Sequence, residues 1–428
     1  MKKIILITNF VLISLFAHTQ TNAELEQRIL NLEEKLNSLE KTSKNFSAKF
    51  GSGIQIVAND SSFQMRAAFR IQSLYANDWT VRNDKLQYIE DHDANFLIRR
   101  ARLKFDGWAF TKKLTYKVEL GLSNRDISGG STSEFGKTAN IIYDAYLEWN
   151  FWNNFSILAG QTKLPGNRER VISSGNMQFV DRSLLNARFN LDRDMGFQLK
   201  HNAKIGKQFI LKETFAFSQG EGRNVIIGNL KGFNYTFKVE AFPFGNFESK
   251  GAYVGSDLNR EQKPKLAIAI AYDFNENNAR ERSQLGDFIK DSNGNYVGKN
   301  IHQVFADAMF KYKGFSVMSE YAYRTTQDGI PNVYDPTDLT SEIGTFYTGQ
   351  AFNIQAGYLF KKNYELAGRF TMVLPQNSSV DNNQFEYTIG ASKYFLGHKL
   401  KIQTDLGYRS ITNANDKLFW RLQTDIHF

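Results

Sequence analysis

Little in this sequence is arranged for covalent chemistry. The six histidines (His18, His92, His201, His302, His398 and His427) are scattered, with no pair at metal-ligand spacing, which predicts no zinc site. The absence of cysteine removes thiolate nucleophiles, cysteine metal sites and disulfides together. No Gly-x-Ser-x-Gly elbow occurs. His302 and His398 lie in strand-like stretches with serines nearby, so a serine esterase is the enzyme reading to weigh, but no triad geometry follows from the spacing. Asp291-Ser292-Asn293-Gly294-Asn295 resembles part of a calcium loop, yet its glycine and closing glutamate are misplaced, which predicts a turn. No catalytic residue, no metal and no cofactor is expected.

The residues with a physical task are cations. Arg66 and Arg70 alternate with Phe63, Met65, Phe69 and Ile71; Arg100, Arg102 and Lys104 repeat the pattern, with Asp106 beyond. In a strand, alternate residues share a face, so each run sets up a column of positive charge. Five more cations, Lys163, Arg168, Arg170, Arg182 and Arg188, fall within 162–192 against Glu169, Asp181 and Asp192. A guanidinium stays charged and offers two parallel donors to an oxyanion, which suits phosphate. The competing use is bracing, in which these cations pair with acids such as Glu119, Asp144 and Glu148. Lysines at the short turns (Lys112, Lys113, Lys204, Lys207, Lys313, Lys361 and Lys362) read mainly as solubilising charge, with a polyanion site as the weaker reading. Aromatics and charges fall on opposite strand faces, which argues against a nucleic-acid surface.

The elements that would hold these charges are long strands. From Phe63 onward the pattern has period two: Leu418, Trp420, Leu422, Thr424, Ile426 and Phe428 oppose Phe419, Arg421, Gln423, Asp425 and His427. With 36 Phe, 19 Tyr and 5 Trp the chain is not disordered, and no run of apolar residues is long enough for a membrane helix. One apolar and one polar face fit either a sandwich or a barrel in lipid. Loop pattern decides between them. Long polar loops at 77–93, 125–138, 162–192, 219–230, 275–300, 327–345, 374–384 and 411–416 alternate with short turns, among them Thr111-Lys112, Trp152-Asn153 and Lys313-Gly314. One longer link, 243–264, stands where a short turn is due. Eight long loops predict a 16-stranded antiparallel transmembrane β-barrel, all-β in class, over 63–428. Rings flank the short turns (Trp108, Phe110, Phe151, Trp152, Phe310, Tyr312) as at a membrane interface. The chain ends on a strand, which a closed barrel needs.

The N-terminal part is organised differently. Met1-Lys2-Lys3, apolar Ile4 to Phe16 and small-polar Thr21-Asn22-Ala23 predict a signal peptide over 1–23. Leu25, Ile29, Leu32, Leu36 and Leu39 are spaced as a heptad seam, so 24–46 is expected to be a short coiled-coil helix seeking copies of itself. The seam does not separate dimer from trimer. Residues 47–62 read as a connector, with the role of 51–58 open.

At this point the sequence resembles the phosphate-selective porin O and P family. The residues that carry the likeness are Phe96-Leu97-Ile98-Arg99-Arg100-Ala101-Arg102-Leu103-Lys104-Phe105, Gly160-Gln161-Thr162-Lys163-Leu164-Pro165, Arg193-Asp194-Met195-Gly196, and the stretch from Ser256 to Leu266, which is similar to members from Bacteroidetes. The resemblance implies a homotrimeric bacterial outer-membrane barrel whose third outer loop, here 162–192, folds inward to narrow the pore. It implies passive diffusion of small hydrophilic solutes with a preference for anions such as phosphate or polyphosphate. The partners expected are those anions, outer-membrane lipid and two further copies of the chain, and no nucleic acid. The rival expectations are a non-selective pore whose charges are structural and a non-conducting adhesive barrel anchored by its coiled coil.

Overall fold

The computed structural model describes residues 22–82, 89–127, 132–136, 139–377 and 381–428. The signal-peptide stretch up to residue 21 lies outside the described residues, as do parts of three long loops. Helix α1 (Asn22–Asn45) leads into a small hairpin, β1 (Phe46–Lys49) and β2 (Gly53–Val57). Its Leu25, Ile29 and Leu32 are exposed.

The first half of the wall is β3 (Phe63–Val81), β4 (Ile89–Ala109), β5 (Thr111–Gly121), β6 (Ile142–Trp152), β7 (Phe155–Lys163), β8 (Arg193–Ile205), β9 (Phe209–Ser218) and β10 (Asn234–Phe242). The second half is β11 (Lys265–Asn278), β14 (Lys299–Tyr312), β15 (Phe315–Thr326), β18 (Gly349–Leu359), β19 (Tyr364–Pro375), β20 (Gln384–Tyr394), β21 (Leu400–Ile411) and β22 (Asp416–His427). Two outer-loop hairpins interrupt the numbering, β12 (Arg280–Arg282) with β13 (Leu285–Phe288), and β16 (Asn332–Asp335) with β17 (Asp338–Thr345). Each wall strand pairs antiparallel with its neighbours in chain order, and β22 returns to β3 from Asp416↔Val81 to His427↔Arg70. The result is a closed barrel of 16 strands, as the loop spacing predicts. Closure leaves no strand edge open to lipid.

The strand faces point as the alternation requires. On β11, Ile268, Ile270 and Tyr272 are exposed on the outside, while Ala267, Ala269, Ala271 and Asp273 face inward. The first short turn lies a residue earlier than Thr111-Lys112: the chain reverses at Phe110, with φ 63.

Two parts of the chain enter the barrel. The loop after β7 carries α2 (Arg168–Val171), a single 3-10 turn at Ser174–Asn176 and α3 (Leu184–Arg188). Its Leu164, Leu184, Leu185, Phe189 and Leu191 pack on the inward Ala216, Ala271, Phe305, Ala322, Ala351 and Val373 of the wall. Burying each large side chain contributes about 1.5–3 kcal/mol. The small wall residues let the loop lie close. From the short-turn end, the 243–264 link brings Phe247 and Ala252 against Phe242, Met309 and Met318, and against Ile172 and Met177 of the loop.

The connector contains more than a linker. β2 pairs with β3 from Ile54↔Ala67 to Val57↔Gln64, on the edge that β22 leaves uncovered below Arg70. Phe428 exchanges backbone hydrogen bonds with Phe69 at this junction. Its ring also meets those of Phe50 and Phe69.

Candidate functional site

Because the inward loop fills one side of the barrel, the open space lies against the other. A cavity of about 1590 Å³ runs between the loop and β4–β8, reaching β20–β22 and, at its outer mouth, β12 and β13. Eighteen Lys and Arg residues line it against nine Asp and Glu.

The loop is fixed across the lumen by polar contacts. Arg168 is fully buried; its Nε donates to Asp307 (2.6 Å), Nη2 to Glu240 (3.2 Å) and Nη1 to the Ala252 carbonyl (3.0 Å). Burial disfavours its charge, but Asp307 and Glu240 outweigh that and hold its pKa above the usual arginine value. The Glu169 amide donates to Glu320 on β15 (2.6 Å), and the Glu169 carboxylate accepts from the Ser183 amide (3.0 Å). Farther along, the Val180 amide donates to Asp405 on β21 (3.2 Å), and Gln178 donates to Glu365 on β19 (2.7 Å). On β3, Arg70 donates to the Ser174 hydroxyl (2.7 Å), where the missing Cβ of Gly175 leaves room for the guanidinium.

Of the ten cations singled out in the sequence, Arg100, Arg102, Lys163, Arg170 and Arg182 line the cavity. Arg66 pairs with Asp106, and Lys104 reaches the same carboxylate (3.2 Å), both away from the cavity. Arg70 and Arg168 brace the loop as described. Arg188 meets Asp381 (3.0 Å) outside the cavity lining.

Those inside fall into two groups. Arg102 is neutralised by Glu119 and Asp126, both at 2.9 Å. Arg170 binds Asp192, and burial, which would raise that carboxyl, is overcome by Arg170 and Arg193, so it stays well below the usual carboxylate range. Arg100 shares Asp181 (3.3 Å) with Arg99 (3.0 Å), which likewise outweigh burial and keep Asp181 strongly acidic. Lys163 and Arg182 differ. Lys163 donates to the carbonyls of Val171 (3.1 Å) and Ile172 (3.2 Å), and Arg182 to those of Glu169 (3.0 Å) and Ile172 (2.8 Å). Carbonyls orient these cations without cancelling them. Burial, together with the like charge of Arg170, pushes Arg182 down to about 9, which leaves it charged at neutral pH.

Several lining cations are absent from the sequence-derived set. A bulge between Gln72 and Ser73 turns Arg99 inward beside Arg100, where strict alternation points it to lipid. Tyr143 carries three guanidiniums on its ring: Arg223 at 4.0 Å, Arg102 at 4.1 Å and Arg193 at 4.7 Å from the centroid. Arg193 also binds Asp144 (2.7 Å). Lys117, bridging Glu119 and Asp144, sits on the alternating face of β5 and was visible in principle. The weighed histidines have other partners. His302 contacts the Tyr272 hydroxyl (2.8 Å), and His398 contacts the Gly255 carbonyl (3.0 Å).

A closed barrel with exposed apolar strand faces and a charged, loop-narrowed interior is a pore of the outer-membrane type. The profile of the phosphate-selective porin O and P family matches residues 69–417, and the chain belongs to that family. It is a bacterial outer-membrane protein, and the family and fold mark a channel rather than an enzyme. A protein of Aquifex aeolicus (strain VF5), itself uncharacterised, is 24% identical over 341 residues, covering 73% of this chain and 76% of that one. Among solved structures, Salmonella typhi OmpF in complex with daunomycin matches 87% of this chain and 100% of its own at a TM-score of 0.52 and 14% identity, a likeness of fold. The outer membrane channel DcaP of Acinetobacter baumannii matches 85% of this chain and 97% of its own, with a TM-score of 0.48 and 13% identity.

Proposed function

We propose that this porin passes small hydrophilic solutes by passive diffusion and prefers anions, phosphate among them. The observation that carries the reading is the twofold excess of Lys and Arg over Asp and Glu around the cavity. A water-filled passage with low-dielectric walls focuses such a field, enriching anions and excluding cations. The 162–192 loop is the constriction, and Arg182, held by carbonyls, is its uncancelled charge, with Lys163 on neighbouring carbonyls beside it. The family's name points the same way. The second reading, a non-selective pore with bracing charges, draws on the pairings Arg66–Asp106 and Arg102–Glu119.

We read the trimer in the same spirit: the exposed Leu25, Ile29 and Leu32 give α1 a seam for copies of itself. Sedimentation of the detergent-solubilised protein checks this, three copies being expected.

Planar-bilayer recording in a KCl gradient tests the function. An anion-signed reversal potential is expected, and Lys163→Gln with Arg182→Gln should move it toward zero. Discrete conductance with no reversal shift in the wild-type chain favours the bracing reading, and no conductance at all sinks the pore.

A further inference from the structure

We propose that the outer mouth of the pore carries a subsite for neutral, many-hydroxylated solutes, that is, short oligosaccharides. Gln284 of the β12–β13 turn, Asn186 and Asn190 of the constriction loop and the ring of Phe135 build it. The proposal rests on the passive-diffusion reading above and names a class of solute for it.

Three buried amides that line the cavity here have hydrogen-bonding capacity left unused. Gln284 is 1% exposed, and among the described residues neither its Oε1 nor its Nε2 finds a partner. The Nδ2 of Asn186 and the Oδ1 of Asn190 are likewise without one, on side chains that are also buried. Buried polar side chains are nearly always hydrogen-bonded, so a group of exceptions along one passage points to a partner that arrives through it.

The fold brings these amides to one place. The Asn190 side-chain amide donates to the Asn186 carbonyl, so the two share a turn. Arg282 joins the hairpin to that turn: its Nη1 donates to the Ala187 carbonyl (3.4 Å), with Gln284 two residues on and Asn186 one residue back. Gly222 lies between Gln284 and Arg280, where a Cβ would fall 2.5 Å from the Gln284 carbonyl and 3.1 Å from the Arg280 guanidinium. Arg280 in turn donates to the carbonyls of Glu221 (2.6 Å) and Gly286 (2.7 Å), which fixes its guanidinium 5.6 Å from the Phe135 ring centroid. Phe135 lines the same cavity and is half-buried.

The unused atoms select the solute. Asn190 Oδ1 and Gln284 Oε1 accept, whereas Asn186 Nδ2 and Gln284 Nε2 donate. Phosphate brings mainly acceptor oxygens, which leaves the two amide oxygens unserved. A hydroxyl gives and takes, so a solute with several of them satisfies both kinds at once. The Phe135 ring adds an apolar face for the C–H side of a sugar. Small-molecule sites combine such a wall with a few placed polar groups.

The test uses the full chain in planar bilayers in symmetric KCl, with maltotriose or a polyethylene glycol of equal mass added. A site built to hydrogen-bond hydroxyls discriminates against a solute that lacks them, and the polymer carries ether oxygens along its length instead. Maltotriose is expected to interrupt the current saturably, with a half-blocking concentration about tenfold or more below that of the polymer. Gln284→Leu removes the amide at similar volume and should raise the maltotriose value about tenfold, the factor one hydrogen-bonded group supplies. Phe135→Ala should do the same, and Phe135→Tyr should retain most of the block. Block by the polymer should be unaltered in all three. Heat-dependent gel mobility reports that each variant is a folded barrel. Block equal for sugar and polymer, or maltotriose block unchanged in folded Gln284→Leu and Phe135→Ala barrels, overturns the subsite and leaves the amides to water, while discrete conductance in the same records leaves the pore reading standing. No conductance in the wild-type chain overturns both.

Discussion

Lys163 and Arg168 stand five residues apart and serve opposite ends. Lys163 ends on the Val171 and Ile172 carbonyls beside the lumen, whereas Arg168 is fully buried between Asp307 and Glu240 and holds the loop to the far wall. Replacing Arg168 by methionine removes the closer cation from Asp307 and Glu240 and leaves both carboxylates to Lys238 (3.4 and 3.9 Å), which weakens the tie between loop and wall. The loop should then detach, and single-channel conductance should rise with added current noise. Unchanged conductance and noise in a folded Arg168→Met barrel would mean that the apolar contacts hold the loop unaided. Asp181 offers the converse experiment. It is the shared partner of Arg99 and Arg100, so Asp181→Asn uncovers two guanidiniums at the cavity surface. The reversal potential should move further to the anion side, opposite in sign to the shift from Arg182→Gln. A shift toward cations would place Asp181 off the conducting path.

At the scale of elements, the narrowing depends on how closely the loop lies to the wall. That approach is set by inward alanines, Ala216, Ala271, Ala322 and Ala351, packed under Leu185 and Phe189. Ala271→Leu overfills this contact, at about 1–3 kcal/mol, without altering any charge. Conductance should rise while the sign of the reversal potential stays the same; an unaltered conductance would mean the loop backbone does not yield. The same elements show what a sequence discloses. Strand number and the sidedness of loops were legible, because the alternation of Leu418 to Phe428 and the turn spacing are local properties. The inward fold of 164–192 was not readable from residue type alone and came through resemblance. Its physical trace is nevertheless present, in the run of alanines at alternate positions of β11 where a lumen-facing wall would otherwise carry polar side chains. Arg99 was missed because a one-residue bulge breaks the period on which face assignment depends. The pairing of β2 beneath the end of β22 was hidden for a related reason: at five residues, β2 is too short for its period to stand out against the connector.

For the whole molecule, the question is whether charge acts pair by pair or as a field. Many wall cations have acids within reach, as Arg102, Arg421 and Arg409 do with Glu119, Asp405 and Glu386, and such pairs brace without selecting. The excess of Lys and Arg around the cavity has no such local account, and its effect on a passing ion extends over a screening length. That length is about 10 Å at 0.1 M salt and about 3 Å at 1 M. Ions crossing the passage at low salt therefore feel the summed excess, and at high salt only the groups they touch. The chloride-to-potassium permeability ratio, read from reversal potentials at a fixed concentration gradient, should be well above one near 0.1 M and fall steadily toward one as salt rises. A ratio near one at every concentration would reduce the cations to braces. A ratio above one that ignores salt would instead point to contact-range binding at Lys163 and Arg182, where screening by bulk ions has little purchase.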